Sequence, residues 1–200
     1  MKQRLVLLGP PVSGKGTLTD RLCREFGFQA VSPGAILREE SPDVASDGIL
    51  LGDDVINSLV GKWIDRQAGN SFVFDGYPRT MGQGKALDTT LAERKATLDM
   101  VVLLEADEAT LKDRVEKRAG CRRCGKILSF GRNQKSCPCG GDLFRRSDDT
   151  VEVLEKRLSE YSEKTEPLIG YYEDKGLLQR FDATQPADAV YETVRTTLLA

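Results

Sequence analysis

The sequence predicts an α/β fold in three layers: a central parallel sheet of about five strands, helices on both faces, and small insertions. Three observations carry this expectation. Continuous apolar runs, Leu5-Val6-Leu7-Leu8, Ser71-Phe72-Val73-Phe74 and Met100-Val101-Val102-Leu103-Leu104, alternate with stretches of helical period, as strands covered on both faces do. The first run ends in a glycine-rich turn, Gly9-Pro10-Pro11-Val12-Ser13-Gly14-Lys15-Gly16-Thr17, that leads straight into a helical pattern. From Cys121 to Phe144 the composition shifts to Gly, Cys and Arg with little periodicity, as in an inserted, cross-braced loop.

Taken in order, Leu18, Leu22 and Phe26 fall every four residues on one face of a helix that starts at Lys15 and stops at Gly27. Phe28 to Val31 reads as a short strand, Ser32-Pro33-Gly34 as a turn, Ala35 to Arg38 as a second helical start and 39–47 as a loop. Asp53 reads as the N-cap of a helix that turns Val55, Ile56, Leu59, Val60 and Trp63 inward. The strand at Phe72 ends in Asp75-Gly76-Tyr77-Pro78-Arg79-Thr80, and a helix spans Gln83 to Lys95. Leu111 to Arg118 is helical and carries Arg114 and Arg118 on one face. Asp149-Thr150-Val151-Glu152 resembles a capping box opening a long helix, with Val151, Leu154, Leu158 and Tyr161 on its stripe. A strand at Leu177 to Phe181 and a helix from Ala187 to Leu199 complete the pattern.

Composition narrows the function. At 200 residues and 40% hydrophobic content the chain fits one core with small insertions. A net charge of -2 offers no global basic field for a nucleic acid, so anions must be held by local arginines. No run approaches a membrane span and no long apolar leader follows Met1, which predicts a cytoplasmic protein without a membrane partner. The absence of histidine excludes Ser-His and Cys-His hydrolases.

The turn at Gly9 to Thr17 fits a Walker A loop, whose backbone N–H groups wrap a phosphate chain at the head of a helix while Lys15 reaches the outer phosphates. Val12 is β-branched and fits such a loop with negative φ. Asp75 follows an apolar strand, as an acid that holds Mg²⁺ through its waters does. Cys121 and Cys124, with Cys137 and Cys139, have the makings of a structural Cys₄ zinc site, with free thiols or a redox pair as the alternative. The lone Cys23 reads as a small core residue.

These motifs together resemble the adenylate kinase family over essentially the whole chain. Gly9 to Thr17 is similar to the family's phosphate loop, Asp75 to Thr80 to its Asp-Gly-Phe-Pro-Arg-Thr motif, and Arg146-Ser147-Asp148-Asp149 to the segment closing its lid. The resemblance implies a P-loop NTPase-like core at 1–31, 61–118 and 150–200, a shortened monophosphate-binding insertion at 32–60 and a zinc-bearing lid at 119–149. The implied reaction is reversible phosphoryl transfer from Mg·ATP to AMP by a monomer that binds small nucleotides and no nucleic acid. Lys15, Asp75, Arg79, Arg114, Arg146 and Arg157 would be catalytic, and Gly9, Pro10, Pro11, Val12, Ser13, Gly14, Lys15, Gly16, Thr17, Arg114, Arg118 and Gln185 would hold ATP. Pro33, Arg38, Leu50, Leu51, Gly76, Arg79 and Gln83 would hold AMP, with Gln83 on the adenine. The chain departs from the family at Pro33 and Ala35, where threonine and aspartate are usual, at Leu128 and Ser129, and at Ser136, which takes the place of a cysteine. A kinase for UMP or CMP, a zinc-ribbon nucleic-acid module and a silent nucleotide-binding paralogue are the alternatives; Gln83, the acidic balance and the arginine set speak against them respectively.

Overall fold

The computed structural model describes residues 2–32, 36, 52–67, 69–129 and 136–200. Strands β1 (Arg4–Leu8), β2 (Gln29–Val31), β3 (Phe72–Asp75), β4 (Met100–Glu105) and β8 (Leu178–Asp182) form one sheet in the order β2-β3-β1-β4-β8, every neighbouring pair parallel. Successive residues of a strand face opposite ways, and the central strands β1, β3 and β4 are buried on both faces. Val6, Leu8, Phe72, Phe74, Val101 and Leu103 pack into one cluster with α2 (Asp53–Arg66), α3 (Met81–Glu93) and α6 (Pro167–Asp174). Leu5, Leu7, Val73, Val102 and Leu104 pack into a second with α1 (Lys15–Phe26) and α7 (Ala187–Leu199). Those are the three layers that the unbroken apolar runs predict.

The helices that leave β1 and β3 thus cover opposite faces, which opens a crevice beyond the carboxyl ends of these adjacent strands. Register puts Leu7 opposite Asp75, so the loop after β1 and the carboxylate ending β3 reach the same edge. Rings fix α2 there: Trp63 meets Phe72 edge-on at 5.7 Å, Phe72 meets Phe74 at 5.3 Å, and Phe74 meets Tyr77 at 5.5 Å.

Helix α1 has the expected bounds, and Gly27, at φ 69°, returns its N–H to the Cys23 carbonyl. Three expectations need correction. Val55 is 48% exposed, because the inward face of α2 runs through Ile56, Leu59, Val60, Trp63 and Ile64 and leaves Val55 to one side. Asp53 is the first residue of α2 and Gly52 its cap; the Asp53 carboxylate is engaged by Thr80 and Gln83. The long helix expected from Val151 runs to Lys164 (α5), and Pro167, which lacks an N–H, opens α6 as a separate helix. Thr150 caps α5 by accepting from the Val153 N–H, so Asp149 is not part of a capping box and turns to Arg118.

Helix α4 (Glu108–Lys117) runs into β5 (Arg118–Cys121), which pairs antiparallel with β6 (Ile127–Ser129) and β7 (Leu143–Phe144). This small sheet occupies the stretch that reads in sequence as an irregular loop. Helices α4 and α5 meet through Leu111, Val115 and Leu154, with Val12, Val151 and Leu158 against them.

Candidate active site and metal centre

Strand β1 delivers Gly9 to the sheet edge, where nothing larger fits. A Cβ there would stand 2.6 Å from the Leu104 carbonyl oxygen and 2.9 Å from Ser13 Oγ. Gly14, at φ 108°, turns the chain into α1, and Lys15 is the first helical residue. The N–H groups and dipole at the head of α1 thereby face the crevice. Lys15 Nζ donates to the carbonyls of Gly9 and Pro10 at 2.6 and 2.8 Å. Burial lowers the Lys15 ammonium to about 8; Asp75 opposes the shift, and the guanidiniums of Arg79, Arg157 and Arg118 add to it. Three arginines from separate elements therefore share one field with Lys15.

Asp75 ends β3, and Thr19 Oγ1 donates to its Oδ2 at 3.4 Å. Burial raises its carboxyl above the ordinary range against the pull of Lys15, the Thr19 hydroxyl and Arg79. A desolvated carboxylate beside a hydroxyl is an oxygen donor set that suits a hard divalent cation. Gly16 lies alongside; a Cβ on it would sit 3.7 Å from Asp75 Oδ2.

Val12 departs from its expected conformation: its φ is 56°, the left-handed region. A β-branched side chain is strained there by about 1 to 3 kcal/mol. What holds it is contact with the Leu111, Val115 and Leu154 cluster of α4 and α5. Val12→Gly is accordingly expected to leave the unfolding free energy within about 1 kcal/mol of the parent, because relief of strain offsets lost packing. Val115→Ala, in the same cluster but in ordinary helix, should cost about 2 kcal/mol or more. Urea unfolding of both variants decides between them; equal losses would remove the strain argument.

Arg114 donates to the Ser13 carbonyl at 3.1 Å and to the Ala183 carbonyl, tying α4 to the loop after β1 and to the turn after β8. Arg118 donates to Asp149 Oδ1 at 3.1 Å. Arg146 makes a two-pronged pair with Asp148 at 2.9 and 2.8 Å, and Arg157 approaches the same carboxylate at 3.5 Å. Arg79 folds its Nε onto the Gly76 carbonyl at 2.8 Å, and Thr165 Oγ1 donates to the Arg79 carbonyl at 2.9 Å. Gly76, at φ 80°, leaves space for that guanidinium, since a Cβ would lie 3.1 Å from Arg79 Nη2. Gln185 donates from Nε2 to Asp182 Oδ2 at 2.9 Å, beside the Ala183 carbonyl that Arg114 holds. Gln83 is buried, with Nε2 on Asp53 Oδ1 and Oε1 on the Arg79 N–H, both at 2.7 Å. Pro33, Arg38, Leu50 and Leu51 lie outside the described residues.

Two residues of this neighbourhood carry no functional reading from the sequence. Thr19 stands one helical turn after Lys15, a spacing that could have flagged it. Asp53 is thirty residues from Gln83, and no local signal links them.

The metal candidate is compact. The four sulfurs of Cys121, Cys124, Cys137 and Cys139 all lie within 4.8 Å of one another, with Cys121 to Cys139 at 3.5 Å and Cys124 to Cys137 at 3.7 Å. A tetrahedral zinc thiolate needs sulfurs about 3.8 Å apart, so this donor set fits. Two tight turns shape it: the Gly125 N–H returns to the Cys121 carbonyl and the Gly140 N–H to the Cys137 carbonyl. At Gly141 a Cβ would meet Cys121 Sγ at 2.8 Å. The Cys124 N–H, followed by the Arg123 N–H and the neighbouring thiols, draws the Cys121 thiol down to about 6, which favours a thiolate at neutral pH. The irregular Cys-x-Cys spacing therefore does not prevent the four sulfurs from converging.

Comparison with known proteins agrees with this geometry. A family model described as adenylate kinase matches residues 7–177. An adenylate kinase of Carboxydothermus hydrogenoformans is 34% identical over 98% of this chain and 99% of its own. One of Sphingopyxis alaskensis is 36% identical over 99% and 98%, and one of Archaeoglobus fulgidus is 32% identical over 97% of each. A match that runs through the Gly9–Thr17 loop, the Asp75 motif and the cysteine cluster, with relatives aligned nearly end to end, places the chain in the adenylate kinase family.

Proposed function

We propose that the protein is an ATP:AMP phosphotransferase that interconverts ATP plus AMP with two ADP, as a monomer acting on free nucleotides in the cytoplasm. The observation that carries the reading is the field at Lys15, where Arg79 from the turn after β3, Arg118 of β5 and Arg157 of α5 act on one ammonium at the head of α1. A phosphate acceptor is already ionised near neutral pH, so no general base is needed and catalysis reduces to alignment and charge neutralisation. A chain without histidine suits that chemistry.

In this reading the loop from Gly9 to Thr17 takes the ATP phosphates on backbone N–H groups, and Lys15 leaves its two carbonyl partners for the outer phosphates. Arg114, Arg118, Arg146 and Arg157 neutralise charge on the transferring group, while Gln185 borders the donor base. Arg79 and Arg38 clamp the acceptor phosphate, Gly76 gives Arg79 its room, and Gln83, Pro33, Leu50 and Leu51 surround the acceptor base. Asp75, with Thr19 behind it, would hold Mg²⁺, which supplies charge neutralisation across the donor phosphates when bound. Residues 32–60 and 119–149 would close over the two nucleotides and exclude water, which otherwise competes as acceptor. The four cysteines would hold zinc in a structural role, since four thiolates leave no open coordination position.

An acceptor panel tests the assignment. With ATP and Mg²⁺ the protein should form ADP from AMP with kcat/KM at least about tenfold above that for UMP or CMP. A preference for a pyrimidine monophosphate would move the assignment to another kinase of this fold.

A further inference from the structure

We propose that Asp53 is a positioning residue that makes Gln83 a one-way reader of the acceptor base, admitting a purine with the adenine edge and rejecting one with the reverse edge. The inference rests on the assignment of Gln83 to the acceptor base given above. A primary amide has two ends of nearly the same shape, an accepting carbonyl and a donating NH₂. Left free, it turns over and pairs equally well with adenine, which donates from N6 and accepts at N1, or with hypoxanthine, which accepts at O6 and donates from N1. Such an amide would select for a purine edge without telling these two apart.

The Gln83 amide is not free. Its Nε2 donates to Asp53 Oδ1 and its Oε1 accepts from the Arg79 N–H, each at 2.7 Å. Both partners are one-signed, since a carboxylate oxygen accepts and a backbone N–H donates. Turning the amide over would set carbonyl oxygen against carboxylate and NH₂ against N–H, losing two half-buried hydrogen bonds for two repulsions. Asp53 is itself held, because its Oδ2 accepts from Thr80 Oγ1 at 2.7 Å and Thr80 Oγ1 accepts from the Gln83 N–H at 3.1 Å. A closed ring of Asp53, Thr80 and the backbone and side chain of Gln83 thus locks the amide at the start of α3. One acceptor valence at Oε1 and one donor valence at Nε2 remain, in an order the protein has fixed. This explains why an acidic side chain at the head of α2 is spent on a glutamine rather than on capping its own helix.

The test compares AMP with inosine monophosphate, which reverses the donor and acceptor order at positions 6 and 1 and adds no group that could clash. Because the ratio of the two kcat/KM values is taken within one preparation, it is independent of the fraction folded. The parent should favour AMP by about 100-fold or more. In Asp53→Asn, whose amide can donate as well as accept, and in Asp53→Ala, the ratio should fall at least about tenfold, with KM for ATP unchanged. A purely structural role would lower both acceptors together and leave the ratio intact, and that result overturns the proposal. So does a parent that uses inosine monophosphate as well as AMP. Gln83→Leu separates the two levels: unchanged KM for AMP removes Gln83 from the base and the proposal with it, whereas a raised KM with an unmoved Asp53→Asn ratio removes the positioning role alone.

Discussion

Lys15→Met is expected to lower kcat for ADP formation by about 10²- to 10³-fold while raising the melting temperature at pH 7. The two effects have one cause. Lys15 sits where burial and the guanidiniums of Arg79, Arg157 and Arg118 disfavour its charge, and only Asp75 and two backbone carbonyls compensate. That arrangement is unfavourable in the empty protein and favourable once phosphate arrives, which is what differential stabilisation of the reacting state requires. The sign of the pH dependence follows from linkage. The folded value of about 8 lies below the ordinary lysine value of 10.5, so above pH 8 the unfolded chain binds the proton that the folded protein releases. The parent therefore gains stability between pH 8 and 10.5, and the advantage of Lys15→Met is full below about 8 and fades across that window. Thermal melts of parent and variant from pH 7 to 10.5, beside a coupled assay for ADP, measure both. Activity within tenfold of the parent would dismiss Lys15 as a catalytic group, and a variant less stable at pH 7 would dismiss the strained-charge account.

Much of the fold is legible in the sequence because the central strands of the sheet are buried on both faces. Runs such as Met100 to Leu104 have nowhere else to go, and Leu18, Leu22 and Phe26 with Gly27 give α1 its limits. Lys15 and Asp75 are legible for the same reason: each follows a strand whose end must lie at the sheet edge. What the sequence conceals depends on contacts remote along the chain. Val12 adopts φ 56° because helices α4 and α5 pack on it, whereas the local preference of valine points the other way. Asp53 serves Gln83 and Thr80 from thirty and twenty-seven residues away, so its role is invisible beside its own helix. The small sheet escapes notice because strands of two to four residues are too short to show a period. The arginines are visible one by one, but their shared field at Lys15 is a property of the folded chain.

The second large effect is expected at the cysteines. Among the described residues of 118–149, the buried apolar side chains are those of Cys121 and Cys137 alone, and Ile127 is 42% exposed. The Phe144 ring, half-buried, lies against Gly120 and under the Arg122 guanidinium at 4.9 Å. A hydrophobic core of two thiols cannot hold three short strands against their conformational entropy, whereas a structural zinc site contributes on the order of 10 kcal/mol in small domains. The purified protein is therefore expected to carry about one zinc per chain, and cobalt in its place should show the intense visible bands of a tetrahedral thiolate site. Chelation, or Cys124→Ser, should melt β5 to β7 at a lower temperature than the parallel sheet, which has its own two apolar clusters. Activity should fall with it by about tenfold or more, because Arg118 and Arg146 flank this segment and are aligned through Asp149 and Asp148. Metal analysis, a cobalt titration and melts followed by hydrogen exchange at 118–149 and at β1 and β4 read each step. Stoichiometric zinc with unchanged exchange in Cys124→Ser would move the stabilisation elsewhere, and a metal-free protein with full activity would leave the four sulfurs as converging thiols and nothing more.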